Sequence, residues 1–296
     1  MKKGTISLLS KLALLTAALI WGSTAFVLKT TLDSVPNAYT NAIRFTVGML
    51  VLVIIFHKRL QDFTLEYWLH GGLMGIFLML GYYGQAAGLM FTTPGKSAFL
   101  MASYCVMVPF LFWLIGGERP TRYNIIAAVL CVTGIGLVSF QGSLSMGKGD
   151  FLTLLGGLGM GFSIVFTAKY TRGKDPVLLS IVQFVYCAVI YWVVAFITET
   201  PPANLELPTV GSLLYLAVMG TALALVLQNV AQKYVDATAS AIILSFEAVF
   251  GVIFSVIFYH EILTTKVLVG FVVMFAAMIL AQITPPEKNE STEASN

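Results

Sequence analysis

The sequence predicts an all-α, polytopic membrane protein with ten transmembrane helices arranged as two inverted five-helix repeats. Two observations carry this prediction: an apolar composition and an internal duplication. Of the 296 residues, 58% are hydrophobic and only 10% are charged, and the mean hydropathy is +0.87. A chain this apolar cannot hide its surface in one water-soluble core, so we expect lipid to surround it.

Ten apolar runs, separated by short polar connectors, are long enough to cross a bilayer. A helix needs roughly 20 mostly apolar residues to span a hydrocarbon layer of about 30 Å. The strands of a β-barrel would instead be shorter and would alternate polar and apolar residues. No connector is long enough to hold a soluble domain. The predicted spans are Leu12–Leu28, Ala38–Phe56, Trp68–Phe91, Ser97–Ile115, Asn124–Phe140, Phe151–Ala168, Val177–Ile197, Val210–Ala231, Ala237–Tyr259 and Val267–Ile283.

Lysine and arginine residues divide unequally between alternate connectors. Cytoplasmic loops carry an excess of these residues, so we predict that the richer side and both termini are cytoplasmic, in the plasma (inner) membrane. The net charge of +3 is then anchoring charge, and we expect no nucleic-acid partner. The richer side holds Lys2, Lys3, Lys11, Lys58, Arg59, Arg119, Arg122, Lys169, Arg172, Lys174, Lys233 and Lys288. The poorer side holds Lys29, Lys96, Lys148 and Lys266.

The two halves of the chain match each other at polar positions. A shift of 143 residues superimposes Glu118 on Glu261, each just after an apolar run, and Gln85 on Gln228. We therefore predict one repeat over residues 1–145, a second over residues 146–284, and a disordered cytoplasmic tail over residues 285–296. Five spans per repeat is an odd number, so the second repeat is inverted. Such repeats can expose a site between them to either side in turn, as secondary transporters do.

Several local features follow one another along the chain in a characteristic order and spacing. They are Trp21-Gly22-Ser23 with Lys29, Pro36 ahead of Arg44, Tyr104 to Pro109 ahead of Glu118-Arg119-Pro120, and Leu244-Ser245-Phe246-Glu247-Ala248 ahead of Glu261. In this the chain resembles the drug/metabolite transporter superfamily, in its ten-helix branch with two EamA-type repeats.

The resemblance implies export or exchange of small metabolites, amino acids or drugs through a central cavity between the halves. It also implies that the fifth and tenth helices can form the surface of a homodimer. The chain departs from the superfamily at one place. Four-helix members couple to protons through a glutamate in their first helix, whereas Leu12–Leu28 contains no acid.

Two ionisable residues, Arg44 and Glu247, lie deep inside the predicted spans. A charge in hydrocarbon costs about 2.5–3.5 kcal/mol on insertion scales, so each needs a reason to be there. Glu247 is a candidate site for a substrate amine or a proton, and Arg44 for a gate or an anion contact. The alternative is an ion pair between helices, or an Arg44 bonded to backbone carbonyls, that only fixes the packing.

Polar and aromatic side chains within the spans are candidates for the cavity wall, because buried polar groups need partners or water there. The alternatives are hydrogen bonding between helices for the polar residues and ordinary packing for the aromatic ones. Pro109 should kink the fourth span, and Gly251 is a second hinge candidate. The cavity candidates are Trp21, Tyr82, Tyr83, Gln85, Tyr104, Phe162, Phe166, Gln228, Asn229 and Glu247.

No set of residues in the sequence points to catalysis. The three cysteines are scattered through apolar spans and show no metal-ligand spacing. No pattern of a nucleophile with a neighbouring base is present either. We therefore expect no enzyme, no cofactor and no metal. The sequence favours a secondary transporter that exports a small molecule by alternating access, with the substrate and the lipid bilayer as its partners. The alternative is a passive channel or facilitator for a small polar solute.

Overall fold

The computed structural model describes residues 3–140, 146–171, 173–203, 205–235 and 237–281. Within these ranges the regular structure is helical, and no strand is present. Eight helices are long and apolar enough to cross a membrane, and two shorter apolar helices complete ten spans. The predicted all-α, polytopic fold is therefore confirmed. The predicted end at Ile283, the tail 285–296 and the charges of Lys2, Arg172 and Lys288 lie outside the described residues.

Each predicted apolar run corresponds to a helical span. The first five spans are α1 (Lys3–Leu32), α2 (Asn37–Phe56), α3 (Leu65–Leu89), α4 with α5 (Pro94–Ala102 and Tyr104–Leu114) and α6 (Arg122–Ser139). The other five are α7 (Lys148–Tyr170), α8 (Pro176–Thr198), α9 with α10 (Leu207–Ala217 and Ala224–Ala231), α11 (Ala237–Phe258) and α12 (Thr265–Ala281). A 3-10 turn at His57–Asp62 follows α2, and a π-helical segment, Val218–Leu223, joins α9 to α10.

The first and sixth spans run in opposite directions. Lys29, near the end of α1, donates from Nζ to the carbonyl of Leu89 at 2.5 Å, and Gly149, at the start of α7, packs on Gly88. The end of α1 and the beginning of α7 therefore both lie beside the end of α3, as inversion requires. We call this end of the bundle the Lys29 end. The opposite end, where Arg59 pairs with Asp175 at 2.8 Å, is the Arg59 end.

The pairing of the helices is the same when the two halves are exchanged. The first span packs on the ninth (α11), and its counterpart, the sixth (α7), packs on the fourth (α4 and α5). The third span packs on the sixth, and its counterpart, the eighth, packs on the first. The second and seventh spans pair with each other, as do the fifth and tenth. A pseudo-two-fold axis therefore relates the two sets of five spans.

Glycines let α3 and α7 pack backbone against backbone. A Cβ atom at Gly84 would lie 2.6 Å from the Cα atom of Gly156, and one at Gly88 would lie 2.7 Å from the carbonyl oxygen of Gly149. No such atom fits without moving a helix. In lipid, apolar side chains gain little by leaving their solvent, so close packing of this kind holds helices together.

The fourth span, in which Pro109 predicts a kink, is interrupted at Ser103, six residues before the proline. The helix α5 continues through Pro109. At the break, the Ser103 carbonyl accepts a hydrogen bond from the Val106 amide, three residues later, at 3.0 Å. Pro109 has no N–H for the carbonyl four residues earlier, so the irregularity falls on the turn before the proline. The other hinge candidate, Gly251, lies within an unbroken α11, where a Cβ atom would meet Ala98 Cβ at 2.4 Å.

Large apolar side chains cover the outside of the bundle. Ile54 is 71% exposed, Val132 68% and Val272 64%, each on a different span. Spread over the whole surface, such exposure would cause aggregation in water, but it suits a hydrocarbon solvent. The chain is a multi-pass membrane protein.

Candidate substrate cavity

One cavity lies between the two sets of spans, near the pseudo-two-fold axis. The space in it that the centre of a water molecule can occupy is about 30 Å³, so the cavity is narrow in this conformation. Residues of α1, α3, α4 and α5 from the first set face residues of α7 and α11 from the second. The wall consists of Trp21, Thr24, Ala25, Tyr82, Gln85, Ala98, Met101, Tyr104, Met160, Ile164 and Glu247.

The only acidic residue of the wall, among the residues that the structure describes, is Glu247. Its side chain on α11 is buried, and the Tyr104 hydroxyl on α5 hydrogen-bonds to the carboxylate. These two residues are 143 positions apart and are therefore repeat partners. Repeat partners can touch only where the pseudo-two-fold axis passes between them. The carboxylate thus lies at the axis, where both halves contribute to one site.

Aromatic rings form much of the remaining wall. Trp21 donates from Nε1 to the carbonyl of Gly220 at 3.0 Å, which leaves its ring against the cavity. Tyr82 packs edge-to-face on Phe45, with ring centroids 5.2 Å apart. Rings of this kind bury apolar surface and present a negative face to a bound cation. With one carboxylate among aromatic faces, the cavity is suited chemically to an amphipathic cation.

Arg44 lies behind this wall, and it does not form the predicted ion pair with Glu247. No ion pair within 4 Å joins Arg44 to a carboxylate in the described part of the chain. Its guanidinium instead donates to Thr221 and to the Gly220 carbonyl, and lies 4.3 Å from the centroid of the Tyr82 ring. The alternative of an arginine bonded to backbone carbonyls therefore describes its contacts better.

Two aromatic candidates on α7 lie away from the cavity. Phe162 and Phe166 stack on Phe77, with ring centroids 4.8 and 5.4 Å apart. The cavity is lined instead by Met160 and Ile164, each two residues before one of these phenylalanines. Two residues in a helix correspond to about 200° of rotation, so one pair faces the cavity and the other faces away.

Three further candidates are also outside the wall. Tyr83 is 40% exposed, because it is one residue round the helix from Tyr82. Gln228 and Asn229 are buried in α10, and Asn229 donates from Nδ2 to Ser180 Oγ at 2.7 Å. Hydrogen bonding between helices, the alternative considered for these polar groups, accounts for Asn229.

At the Lys29 end a hydrogen-bond network around Glu261 holds α4 against α11. The carboxylate of this residue, in the α11–α12 connector, accepts hydrogen bonds from the Gly95 amide at 2.8 Å and from the hydroxyls of Thr93 and Ser255. It thereby caps the first turn of α4 and ties that helix to α11. Unpaired amides and the helix dipole both favour a carboxylate at this position.

A buried ion pair joins α4 to α7 beside this network. Lys96 Nζ lies 2.9 Å from Asp150 Oδ2, and Thr92 donates to Oδ1 of the same carboxylate at 2.8 Å. On the other side of the bundle Glu199 caps α2, where it accepts from the amides of Ala38 and Tyr39 at 2.9 and 3.1 Å. Three carboxylates therefore join neighbouring spans at this end, those of Glu261, Asp150 and Glu199.

The Arg59 end is arranged differently around the fourth span. The half of this span at the Lys29 end, α4, packs on α11 and α1. The other half, α5, packs mainly on α7, so the fourth and ninth spans separate towards the Arg59 end. Glu118, the repeat partner of Glu261, is exposed.

Two segments of the chain, residues 8–140 and 147–282, match the model of the EamA-like transporter family. The chain belongs to this family. An uncharacterized transporter of Archaeoglobus fulgidus is 31% identical over 280 residues, which cover 94% of this chain and 88% of that one. The Bacillus subtilis transporter YoaV is 21% identical over 92% of this chain and 96% of its own length. A crystal structure with 15% identity shares the fold, with a TM-score of 0.68 over 92% of this chain and 96% of that one.

Membership of the EamA-like family makes this protein a membrane transporter, and the family and relatives are named for transport rather than for catalysis. The sequence did not single out all of the wall. Thr24 and Ala25 are one turn from Trp21, and Ala98 and Met101 precede Tyr104 at spacings of three. Helical spacing from each aromatic candidate was the signal that could have found these smaller residues.

Proposed function

We propose that this transporter exports an amine-bearing, amphipathic small molecule, such as a metabolite, an amino acid or a drug, in exchange for protons. The observation that carries the proposal is the Glu247 carboxylate on the cavity wall at the axis between the halves. Following the bias of lysine and arginine, we assign the Arg59 end and both termini to the cytoplasm and the membrane to the plasma (inner) membrane.

The surroundings of Glu247 support a cationic substrate. An ammonium group would pair with the carboxylate, while the faces of Trp21 and Tyr104 would attract the same charge and bury the apolar part. The wall includes no lysine, arginine or histidine among the described residues, so nothing basic there competes with the substrate.

One carboxylate can hold either a proton or an ammonium group at a given time. Binding of either therefore weakens binding of the other, and this linkage couples two opposite fluxes. In the cytoplasm the amine displaces the proton from Glu247. Outside, where protons are more abundant, a proton displaces the amine. The first helix of this chain contains no acidic residue that could couple transport to protons. Glu247, in the ninth span, takes that role.

Alternating access would use the two repeat-related glutamates as gates. Glu261 ties α4 to α11 at the Lys29 end, which supports a conformation closed to the outside. In the opposite conformation, exchange of the two halves would bring Glu118 to the first turn of α11 and free Glu261. Interconversion of two such states is what inverted repeats permit.

Glu247→Gln tests the proposal, because glutamine keeps the shape of the side chain but cannot take up a proton. A cationic substrate is first found by a thermal-shift screen of amines and then measured in proteoliposomes. We expect the wild type to show a response of uptake to an imposed proton gradient and the variant to lose it. Glu206→Gln is the matched control, since Glu206 is exposed and makes no side-chain cap bond.

Counterflow separates carrier from channel in the same vesicles. A carrier accelerates when unlabelled substrate is present on the far side, and a channel does not. Transport without counterflow would favour the passive facilitator. Counterflow with an unchanged gradient response in Glu247→Gln would keep the carrier and remove proton coupling at this residue.

A further inference from the structure

Arg44 is the largest fully buried side chain among the described residues, with 1% of its surface exposed. Its contacts lie in the π-helical segment Val218–Leu223. The Nε atom donates to Thr221 Oγ1 at 2.5 Å, and the Nη2 atom donates to the Gly220 carbonyl at 3.3 Å. The arginine on α2 is therefore bonded to the one irregular segment of the eighth span.

The Gly220 carbonyl joins this arginine to the cavity wall. Trp21 Nε1 donates to the same oxygen at 3.0 Å, so one carbonyl serves two side chains from two other spans. The packing is close there, because a Cβ atom at Gly220 would lie 2.7 Å from Thr24 Cγ2 and 3.2 Å from Arg44 Nη2 and would displace these side chains. Single π turns are rare in proteins and occur often at functional sites.

The same guanidinium also supports a second wall residue. Its carbon Cζ lies 4.3 Å from the centroid of the Tyr82 ring, in a cation–π contact. Tyr82 lies in the wall, whereas Arg44 is not among the lining residues. One side chain outside the cavity thus contacts Tyr82 directly and contacts Trp21 through Gly220.

We propose that Arg44 is a positioning residue of the cavity. It holds the π-helical segment and the Tyr82 ring in place and so fixes Tyr82 and Trp21 relative to each other. This inference deepens the proposed function, since its bearing on substrate selection rests on the cavity being the transport site. The contacts themselves do not depend on that function.

The chemistry of arginine fits this role better than that of a packing anchor. An apolar residue of similar volume would fill the space without bringing a charge that no carboxylate within 4 Å balances in the described residues. A guanidinium, however, presents five N–H donors in one plane and a flat face for stacking. It can therefore hold a hydroxyl, a carbonyl and a ring together, which a lysine cannot.

The test follows the fluorescence of Trp21 and needs no substrate. The parent protein carries Trp21 as its sole tryptophan, and acrylamide serves as the quencher. In this background Arg44→Lys, Arg44→Met and Thr221→Val are compared with Thr133→Val. Thr133 is the control because its hydroxyl bonds only to its own helix, at Val129, on an exposed face. The tryptophans replaced by phenylalanine are Trp68, Trp113 and Trp192.

We expect the quenching constant of Trp21 to rise roughly twofold in both Arg44 variants and in Thr221→Val, because the freed indole moves in its pocket. Thr133→Val should match the parent. Helical circular dichroism and a monodisperse elution profile select the folded variants, and Arg44→Lys carries the test if Arg44→Met does not fold, because Thr221→Val also removes a bond from Thr221 to the Leu216 carbonyl. A folded Arg44→Lys with the quenching constant of the parent overturns the proposal, as does an equal rise in Thr133→Val.

A transport measurement shows whether the positioning affects substrate. If Trp21 and Tyr82 select the substrate, Arg44→Lys raises the apparent KM in counterflow more than it lowers the maximal rate. If counterflow is absent in the wild type, the proposed function fails while the fluorescence result stands. The two failures are therefore distinguishable.

Discussion

Removal of the Glu261 side chain should open the Lys29 end of the transporter. In the structure this carboxylate ties α4 to α11 through the Gly95 amide at 2.8 Å and the hydroxyls of Thr93 and Ser255. The bonds to Thr93 and Gly95 would be lost where the helices separate at this end, whereas the bond to Ser255 lies within α11 and its connector. Glu261→Ala removes them from the closed state and takes little from the open one, so the balance shifts to the open state.

The size of the shift follows from these contacts. A hydrogen bond to a charged group contributes about 1.5–3 kcal/mol when it is buried, but Glu261 is only half-buried and water replaces its partners in the open state. We therefore take a total of about 2 kcal/mol for the two bonds that cross to α4, close to the loss of a helix cap. This corresponds to a roughly 30-fold change in the ratio of the two conformations.

A cysteine in the cavity measures this ratio. With Gln85→Cys in the wall, a membrane-impermeant thiol reagent added to whole cells labels the residue only when the cavity is open to the outside. We expect the labelling rate to rise on the order of 30-fold in Glu261→Ala. Native cysteines are buried among the described residues and serve as the background. Glu206→Ala, at an exposed helix start with no cap bond, is the matched control.

Two results would refute the reasoning. One is an unchanged labelling rate in a Glu261→Ala protein that still elutes as a folded species. The other is an equal rise in Glu206→Ala, which would assign the effect to surface charge. Glu118→Ala is the converse test, because it removes the carboxylate that we assign to the opposite gate. It should not raise labelling from outside.

Two further predictions concern stability, measured as thermal unfolding in detergent. Gly84→Ala should destabilise the protein by about 1–3 kcal/mol, since the new atom would lie 2.6 Å from the backbone of α7. In Gly136→Ala the new Cβ would meet only the Phe140 ring at 3.5 Å, so this change should stabilise the protein by about 0.5–1 kcal/mol. Shifts of the unfolding temperature in the same direction for the two variants would contradict the reasoning. Asp150→Asn should cost about 3 kcal/mol by leaving Lys96 buried and unpaired, whereas the same change with Lys96→Met should recover most of the loss. A double variant as unstable as the single one would show that the pair contributes more than charge balance.

The sequence predicted the spans because lipid imposes one rule on all of them. Each span must be apolar and long enough, and each run from the first to the tenth met that rule. The interruption at Ser103 lies in the span where Pro109 predicts a kink, but the π-helical segment Val218–Leu223 was not predicted. This segment makes tertiary contacts with Arg44 of another span through Thr221 and Gly220. Hydropathy carries no trace of such contacts.

The cavity was predictable only in part, for a related reason. Glu247 was predictable as a charge within a span, and Tyr104 as an aromatic residue within a span. The aromatic character of Phe162 predicted it in the wall in place of Met160, but the face of α7 that meets the cavity depends on its glycine contacts with α3. Packing decides which side of a helix faces inward. A helix that is apolar all round has no polar face from which that side could be predicted.

The two gates need not be equally strong, and the sequence gives the reason. Glu118 and Glu261 are repeat partners, but the Lys96–Asp150 pair that supports the gate at the Lys29 end has no charged equivalent, since Lys96 aligns with Ala239. A conformation closed at the Lys29 end therefore has an ion pair that the opposite conformation lacks. In the absence of substrate we expect the transporter to rest closed at this end and open to the cytoplasm. That resting state would suit the proposed export, because the empty cavity would then be accessible from the cytoplasm, where the substrate is bound.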